Sequence, residues 1–589
     1  MPLVTSERST APSGAPAATY ARAILEQAPR VLGLMDREVL SPTVGCCDRT
    51  YWAWKFVDFP RSRFQEALCV LAFLYSAALD SSPYYRSARL LEWIGYGLRF
   101  WSTIQHGDGS FDEAYPFERS LAATAFTTFY VGEALIFLND TLPADIAALA
   151  RETMVRAGRW LLHNDETHGF LSNHLAAAAA ALQHVYRRSG DGRFERRSQY
   201  FLQKIMDRQS REGWYEEYGG ADPGYQTHGS FYLARCWQLT HRPELAESLR
   251  RAMTFQAHFV HVDGSLGGEY ASRNTQTYYP AAFEMFAGQH PAAAWIAETL
   301  RPSVLNGAAA GLSSVDAYNY FPFLNNFVFA YLACADPERA PVPAEEPSAH
   351  EPLVWFPEAG IARVRRDRYD AYIGTAKGGV TKVFDRQRGQ LVYSDCGYIG
   401  RLRNRRLIST QYQDHRRGVH VSAERIEVEG AFVQFSRPTM SPAMFLAFRL
   451  FTLSLGRLPR LAMWLKRQLV KVLIYRKRAL DIRLNRTIEF GETSVSVSDS
   501  IVGPDGASVA HLRWGALFTT IHMGSSRYFI NNELSEMPLS DEERQNEIDL
   551  NGIVSGITVR RGITFGERGA QSLGEGLGTD TPGVAVLEE

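Results

Sequence analysis

Three short stretches of this 589-residue chain repeat one another: Asp108-Gly-Ser-Phe-Asp-Glu-Ala-Tyr115, Glu212-Gly-Trp-Tyr-Glu-Glu-Tyr218 and Asp263-Gly-Ser-Leu-Gly-Gly-Glu-Tyr270. A degenerate copy, His168-Gly-Phe-Leu-Ser-Asn-His174, stands between the first two. The interval is roughly 50 residues, one helical hairpin per repeat, and such units bury their apolar faces only by stacking on one another. Ala- and Leu-rich runs at helical period fill the intervals, at 63–80, 86–103, 119–138, 143–163, 174–188, 194–209, 226–240, 243–260 and 280–300. The pattern predicts an α/α toroid of helical hairpins over residues 19–335. Its equivalent loops, 108–118, 168–174, 213–228 and 263–278, then gather around one mouth. An open helical solenoid is the alternative with the same period.

Past the repeats the texture changes. Residues 336–352 carry five prolines and read as a linker. Short alternating runs follow, at 360–365, 369–375, 390–394, 419–428, 487–490, 493–501 and 553–560, broken by Gly, Asp and Asn. They predict a C-terminal antiparallel β-sandwich over 353–565. A basic, Leu-rich insertion near 444–480 reads as one or two helices broken at Gly456 and Pro459. Residues 1–18 are rich in Ala, Pro, Ser and Thr and read as disordered, and 566–589 as a flexible tail.

The bulk numbers exclude little. Hydrophobic residues at 45% and charged residues at 22% suit a soluble globular chain. A net charge of −1 gives no reason to expect nucleic acid as partner. The six cysteines lack zinc-ligand spacing and read as reduced thiols, and no metal or cofactor is expected. No signal-peptide core stands at the N-terminus, so a cytoplasmic location is expected. The most apolar stretch, 444–475, is interrupted by Arg449, Arg457, Arg460, Lys466, Arg467 and Lys471, so no transmembrane segment is expected. A basic amphipathic element of that kind suits contact with a membrane surface.

The chemistry concentrates at two helix entrances. Asp222-Pro223 is a helix-start signal, which puts Gly224, Tyr225, Gln226 and His228 in a first turn. Asn173 and His174 stand at the entrance of the helix one hairpin earlier. Free amides and the helix dipole at such entrances favour negative charge. With Arg273 from the third repeat loop, these residues supply donors for a carboxylate and a phenol that can exchange a proton. That set suits β-elimination next to a uronate carboxylate, where a base and an acid serve the two bond changes. The bland readings are a helix cap for Asn173, a core histidine for His174 or His228, and a packed ring for Tyr225. Glu217 and Glu269 are candidates for substrate binding and for pairing with Arg273. They, with Asp108, Asp112, Glu113 and Glu216, also map to the mouth. Two such carboxylates could make a glycoside hydrolase, and a noncatalytic glycan-binding protein is the third reading.

This layout resembles the heparinase II/III-like polysaccharide lyases over about residues 90–565. The resemblance rests on Asn173-His174 followed one hairpin later by Asp222-Pro-Gly-Tyr225, and on Val383 to Gly397, VFDRQRGQLVYSDCG, which looks like that family's strand pair ending in Asp-x-Gly. It implies a toroid joined to a β-sandwich, an acidic polysaccharide or oligosaccharide as substrate, Asn173 and His174 as neutralisers of the uronate, and Tyr225 as base, acid or both. Many members carry a His-x-His-x-Asp motif before the strand pair, where this chain reads Thr375-Ala-Lys-Gly-Gly-Val380. Lys377 and His415, in Gln411-Tyr-Gln-Asp-His-Arg-Arg-Gly418, are the candidates to supply that charge.

Overall fold

Prolines and glycines between the apolar runs cut the first half of the chain into helices that alternate between two positions. A computed structural model describes residues 16–166, 169–217, 219–436, 439–473, 478–504, 509–514, 524–534, 547–548, 557–566 and 569–579. Its helices are α1 (Pro16–Leu34), α2 (Ala67–Ser76), α3 (Ala88–Thr103), α4 (Leu121–Leu138), α5 (Ala144–His163), α6 (Ser172–Ser189), α7 (Gly192–Met206), α8 (Pro223–Thr240), α9 (Pro243–Ala257), α10 (Ala281–Phe286), α11 (Pro291–Leu300), α12 (Ser303–Asn306) and α13 (Ala317–Cys334). Helices α2, α4, α6, α8, α10 and α13 pack in succession, and α13 returns to α2. The inner ring is therefore closed, which excludes the open solenoid. Helices α1, α3, α5, α7, α9 and α11 lie against it.

Side-chain pattern decides which helix goes where. The inner helices are apolar nearly all round: every residue of α2 except Ser76 is buried, and α6 carries Ala176 to Ala181 in one buried run. Helix α4 has the length and apolarity of a membrane span, yet the ring buries it. The outer helix α7 buries only one stripe, Phe194, Ser198, Phe201, Leu202 and Ile205.

The repeat is a structural repeat. Gly109, Gly213 and Gly264 take φ of 95°, 103° and 80°, a region that favours glycine. In each turn the residue three before the glycine bonds across it: His106 N to Ser110 O, Ser210 N to Trp214 O and His261 N to Ser265 O. Gln105 and Gln209 anchor two of these turns in the same way, each amide donating to the turn glycine's carbonyl and to a carbonyl of the next outer helix. Each turn follows an outer helix and precedes an inner one. The N-termini of the inner helices α4, α6, α8 and α10 consequently meet at one end.

Several boundaries differ from expectation. The run 280–300 is two helices, because Gly288 and Pro291 break it and Pro291 opens the second. Helix α1 begins at Pro16, inside the stretch expected to be disordered. Residues 1–15, together with His168 and Tyr218 of the repeat, lie outside the described residues. Residues 336–352 form no helix or strand. Arg363 and Arg365 hold them through the Glu346 carboxylate and the carbonyls of Ser348 and Ala349.

The second half is antiparallel. Strands β1 (Leu353–Phe356), β2 (Ile361–Arg365), β3 (Tyr369–Gly374), β4 (Val380–Asp385) and β5 (Gln390–Asp395) form a five-stranded meander. Strands β6 (Tyr398–Leu402), β7 (Leu407–Ser409), β8 (Val419–Val421), β9 (Arg425–Phe435), β10 (Arg478–Phe490), β11 (Ser494–Val502), β12 (Val509–Trp514), β13 (Glu547–Ile548), β14 (Ile557–Gly566) and β15 (Gly569–Thr579) form a ten-stranded sheet, ordered β13-β12-β6-β7-β9-β10-β11-β14-β15 with β8 on β9. The meander is covered on both faces. Ile361, Tyr372, Val380 and Phe384 join the toroid core, while Ala362, Val364, Ala371, Ile373 and Val383 face Ile426, Val428, Ile488 and Val497 of the larger sheet. The insertion forms α14 (Pro442–Leu453) and α15 (Pro459–Leu473) between β9 and β10. The expected flexible tail contains β15, which pairs with β14, and 580–589 lie outside the described residues, as do 553–556 of the strand expected at 553–560.

Candidate functional site

At the start of α8 the Asp222 side chain accepts from Tyr225 N at 3.0 Å and Pro223 takes the first helical position, as an Asp-Pro start requires. Gly224 is glycine because a Cβ there would lie 2.2 Å from Thr275 O. That close approach lays the third repeat loop across the helix start. Arg273 is thereby placed over the Tyr225 ring, its guanidinium carbon 3.8 Å from the centroid.

Asn173 comes in from the neighbouring inner helix. The cap position of α6 is Leu171, and Ser172 Oγ donates to Glu216 O, so Asn173 is not the helix cap. Its backbone N donates to Glu217 Oε1 at 3.0 Å and its Nδ2 to Tyr225 OH at 3.3 Å. Asn173 Oδ1 is buried without a partner among the described residues. The next residue, His174, is half-buried. Its Nδ1 lies 2.6 Å from Glu166 Oε2, and because a carboxylate accepts, Nδ1 donates and Nε2 is left for another group.

The remaining expected residues divide into near and far. Glu217 and Arg273 are both buried and 3.8 Å apart, too far for a hydrogen bond. Burial pushes the Glu217 carboxyl up to about 8 against the opposing charge of Arg273. The pair thus does not offset the desolvation of Glu217, which stays protonated at neutral pH. His228 is held neutral, its pKa well below the ordinary value, by burial first and then by Arg63, His174 and Arg273. Its Nε2 bonds Tyr232 OH at 2.9 Å and its ring stacks on Tyr279 at 4.3 Å, with only an edge contact to Tyr225. His228 therefore packs against Tyr232 and Tyr279 beside Tyr225, with its Nδ1 buried and unpartnered among the described residues. Glu269 does not pair with Arg273; its partner is Lys382 of β4, 2.5 Å away and also buried, which ties the third repeat loop to the sandwich.

Lys377 and His415 arrive from the sandwich. Lys377 is buried, with Nζ 2.5 Å from Ala271 O, in the turn between β3 and β4 where a histidine motif was expected by resemblance. His415 is exposed and bonds Gln413, which lies against Gly220. Both stand beside loops that carry the site, and no hydrogen bond joins either to Tyr225 or Asn173 among the described residues.

Other carboxylates at the mouth are occupied by the fold. Asp112 accepts from the backbone N of Phe117 and Arg119, and Asp108 from Ser110 and Arg119. Glu113 bonds Arg63 and Ser120, and Glu216 lies 3.4 Å from Arg208. Burial alone would raise Glu113, but Arg63 and His174 hold it below the ordinary value.

Sequence reasoning missed Arg63, which pairs with Glu66 and Glu113 and sits over Phe126, the ring that His174 meets edge-on. It precedes the first repeat turn, so no periodic signal marks it. Ser525 and Tyr528 were also missed: Ser525 accepts from Arg273 at 2.8 Å, and Tyr528 from Asn319 of α13 at 2.7 Å.

No protein-family model and no curated protein matches the chain. Solved structures do match. Chondroitin AC lyase from Streptomyces coelicolor A3, in complex with chondroitin sulphate, is 12% identical with a TM-score of 0.52, over 86% of this chain and 69% of the other. A Paenibacillus xanthan lyase is 10% identical with a TM-score of 0.49, over 85% of this chain and 47% of the other. Heparinase III is 9% identical with a TM-score of 0.48, over 85% and 72%. The likeness to chondroitin AC lyase spans the ring of helices and the sandwich alike, and the chain has the α/α-toroid and β-sandwich fold of the polysaccharide lyases.

Proposed function

We propose that this chain is a carbon-oxygen lyase that cleaves uronic-acid-containing polysaccharides or oligosaccharides by β-elimination. The observation that carries this reading is the contact of Asn173 Nδ2 with Tyr225 OH beneath the guanidinium of Arg273, at the mouth of a toroid of lyase fold. Asn173 and His174 neutralise the uronate carboxylate, which makes the neighbouring C5 proton easier to remove. Tyr225, as phenolate, takes that proton. The C5–H electron pair becomes the C4–C5 double bond as the C4–O bond breaks, and Tyr225 returns the proton to the leaving oxygen. Arg273 sets positive charge against the ring on which negative charge is carried. His415 serves as an outer substrate contact, Lys377 braces the third repeat loop through Ala271 O, and Glu217 and Glu269 hold the loops in place.

Incubation with chondroitin sulphate, heparin and xanthan tests this, followed by both ultraviolet absorbance and new reducing ends. Elimination makes a conjugated, absorbing double bond with every cut. Reducing ends without absorbance would establish a hydrolase instead, and binding without cuts a glycan-binding protein.

A further inference from the structure

Helices α14 and α15 form a hairpin that leaves the sandwich and clasps the first repeat loop of the toroid. Arg119 donates to Gly456 O at 3.3 Å and to Arg457 O at 3.0 Å, and Lys466 Nζ lies 3.3 Å from Glu118. Phe448 meets Tyr115 edge-on at 5.1 Å, and Arg449 reaches Asp58 at 3.1 Å. The underside is therefore fixed to the folded body.

Its other side is apolar and bare. Leu446, Leu450 and Leu453 follow one another at helical spacing on α14, Leu458 lies in the turn and Trp464 on α15. Leu446 is 61%, Leu450 62% and Trp464 53% exposed. Apolar side chains in such number mark a contact surface. Arg457, Arg460 and Arg467 are exposed alongside, and the sequence from Ala431 to Leu480 contains no aspartate or glutamate. Helix α14, at 12 residues, is too short to cross a bilayer.

We propose that this hairpin is a monotopic membrane contact. The apolar face of α14 and the turn sink into the boundary between headgroups and acyl chains of an anionic bilayer, while Arg457, Arg460 and Arg467 pair with lipid phosphates. Charge selects this occupant. A second copy docked face to face would set the same arginines against one another, and a soluble anionic glycan would satisfy the arginines but leave the leucines in water. The inference is independent of the lyase reading, because none of its residues belongs to the Tyr225 cluster.

The test is co-sedimentation of the full chain with vesicles of phosphatidylglycerol and phosphatidylcholine, and of phosphatidylcholine alone. The expected result is binding to the anionic vesicles that weakens with salt. Leu446→Ser with Leu450→Ser, at exposed positions, is expected to reduce binding by about tenfold or more with melting unchanged. Arg460→Glu with Arg467→Glu is expected to remove the preference for anionic lipid. The proposal is overturned if wild type ignores the vesicles, if neither double variant changes binding, or if the chain dimerises without lipid and the leucine variant abolishes the dimer. Binding to soluble heparin that is lost in the arginine variant, with no vesicle binding, would assign the face to glycan.

Discussion

The guanidinium of Arg273 sits over the ring of Tyr225, 3.8 Å from its centroid, while Asn173 donates to the hydroxyl of the same side chain. Three elements thus converge on one phenol: α8 supplies it, α6 supplies the amide and the third repeat loop supplies the charge. Arg273 is itself fixed from the sandwich, where Ser525 accepts its Nη2 at 2.8 Å. The site is assembled only when both halves of the chain are in place.

Asn173→Ala separates chemistry from folding. The side chain does not cap α6, so its loss is expected to leave the melting temperature nearly unchanged. Turnover should slow by about 2 to 4 kcal/mol of barrier, the range for one lost oxyanion donor. Steady-state kinetics with parallel thermal melts check this. A large fall in melting with unchanged specific activity would make Asn173 a structural residue.

Glu217 predicts a pH dependence of stability. Its carboxyl is raised from 4.5 to about 8, so between those values the folded chain holds a proton that the unfolded chain has lost. More protons bound in the folded state means that stability falls as pH rises. This contribution is fully present below 4.5 and is lost as pH climbs through 8. Glu66, raised to about 7, acts in the same direction. Buried histidines such as His228, whose folded values lie below 6.5, act the opposite way below that pH, so melting temperature is expected to decline from neutral to mildly alkaline pH. Glu217→Gln should flatten part of that decline, melting above wild type on the alkaline side. Parallel profiles for the two proteins would contradict the assignment.

The Asp-x-Gly at Asp395 to Gly397 has a structural role. Asp395 Oδ1 accepts from Gly397 N at 2.8 Å, and Oδ2 pairs with Arg561 and lies 3.3 Å from Arg486, all buried. Asp395→Asn leaves two buried arginines short of a charge, and such losses cost about 3 to 5 kcal/mol. Urea unfolding is expected to show that loss, with the remaining folded enzyme cutting normally. Wild-type stability in this variant would sink the reading.

Much of this was legible in the sequence because the repeat is a backbone requirement. A turn with positive φ selects glycine at the same place in each hairpin, and Gly109, Gly213 and Gly264 mark it. Asn173 and Tyr225 were legible for a related reason, as each stands at the entrance of an inner helix, marked by the apolar run after Asn173 and by Asp222-Pro223 before Tyr225. What was hidden lacked such a marker. Helix α13, which closes the ring, and α1, which packs on it, contain Pro322 and Pro29, and proline inside a helix reads as a break. Strand β4 is buried on both faces, so alternation does not mark it. Arg63 reaches Glu113 across an interval that local pattern cannot bridge. His228 sits one helical turn from Tyr225 and reads as its partner, yet the core takes its ring.

Tyr225→Phe tests the central claim most directly, because it keeps the ring under Arg273 and removes only the proton carrier. The measurement is the initial rate of unsaturated-product formation on a uronate polysaccharide that wild type cleaves, with a thermal melt on the same sample. The account predicts near-complete loss of that rate at nearly unchanged melting temperature. Lys377→Ala and His415→Ala are expected to be milder by at least about tenfold each, or about 1.4 kcal/mol of barrier. Unsaturated product formed by Tyr225→Phe at close to the wild-type rate would contradict the account.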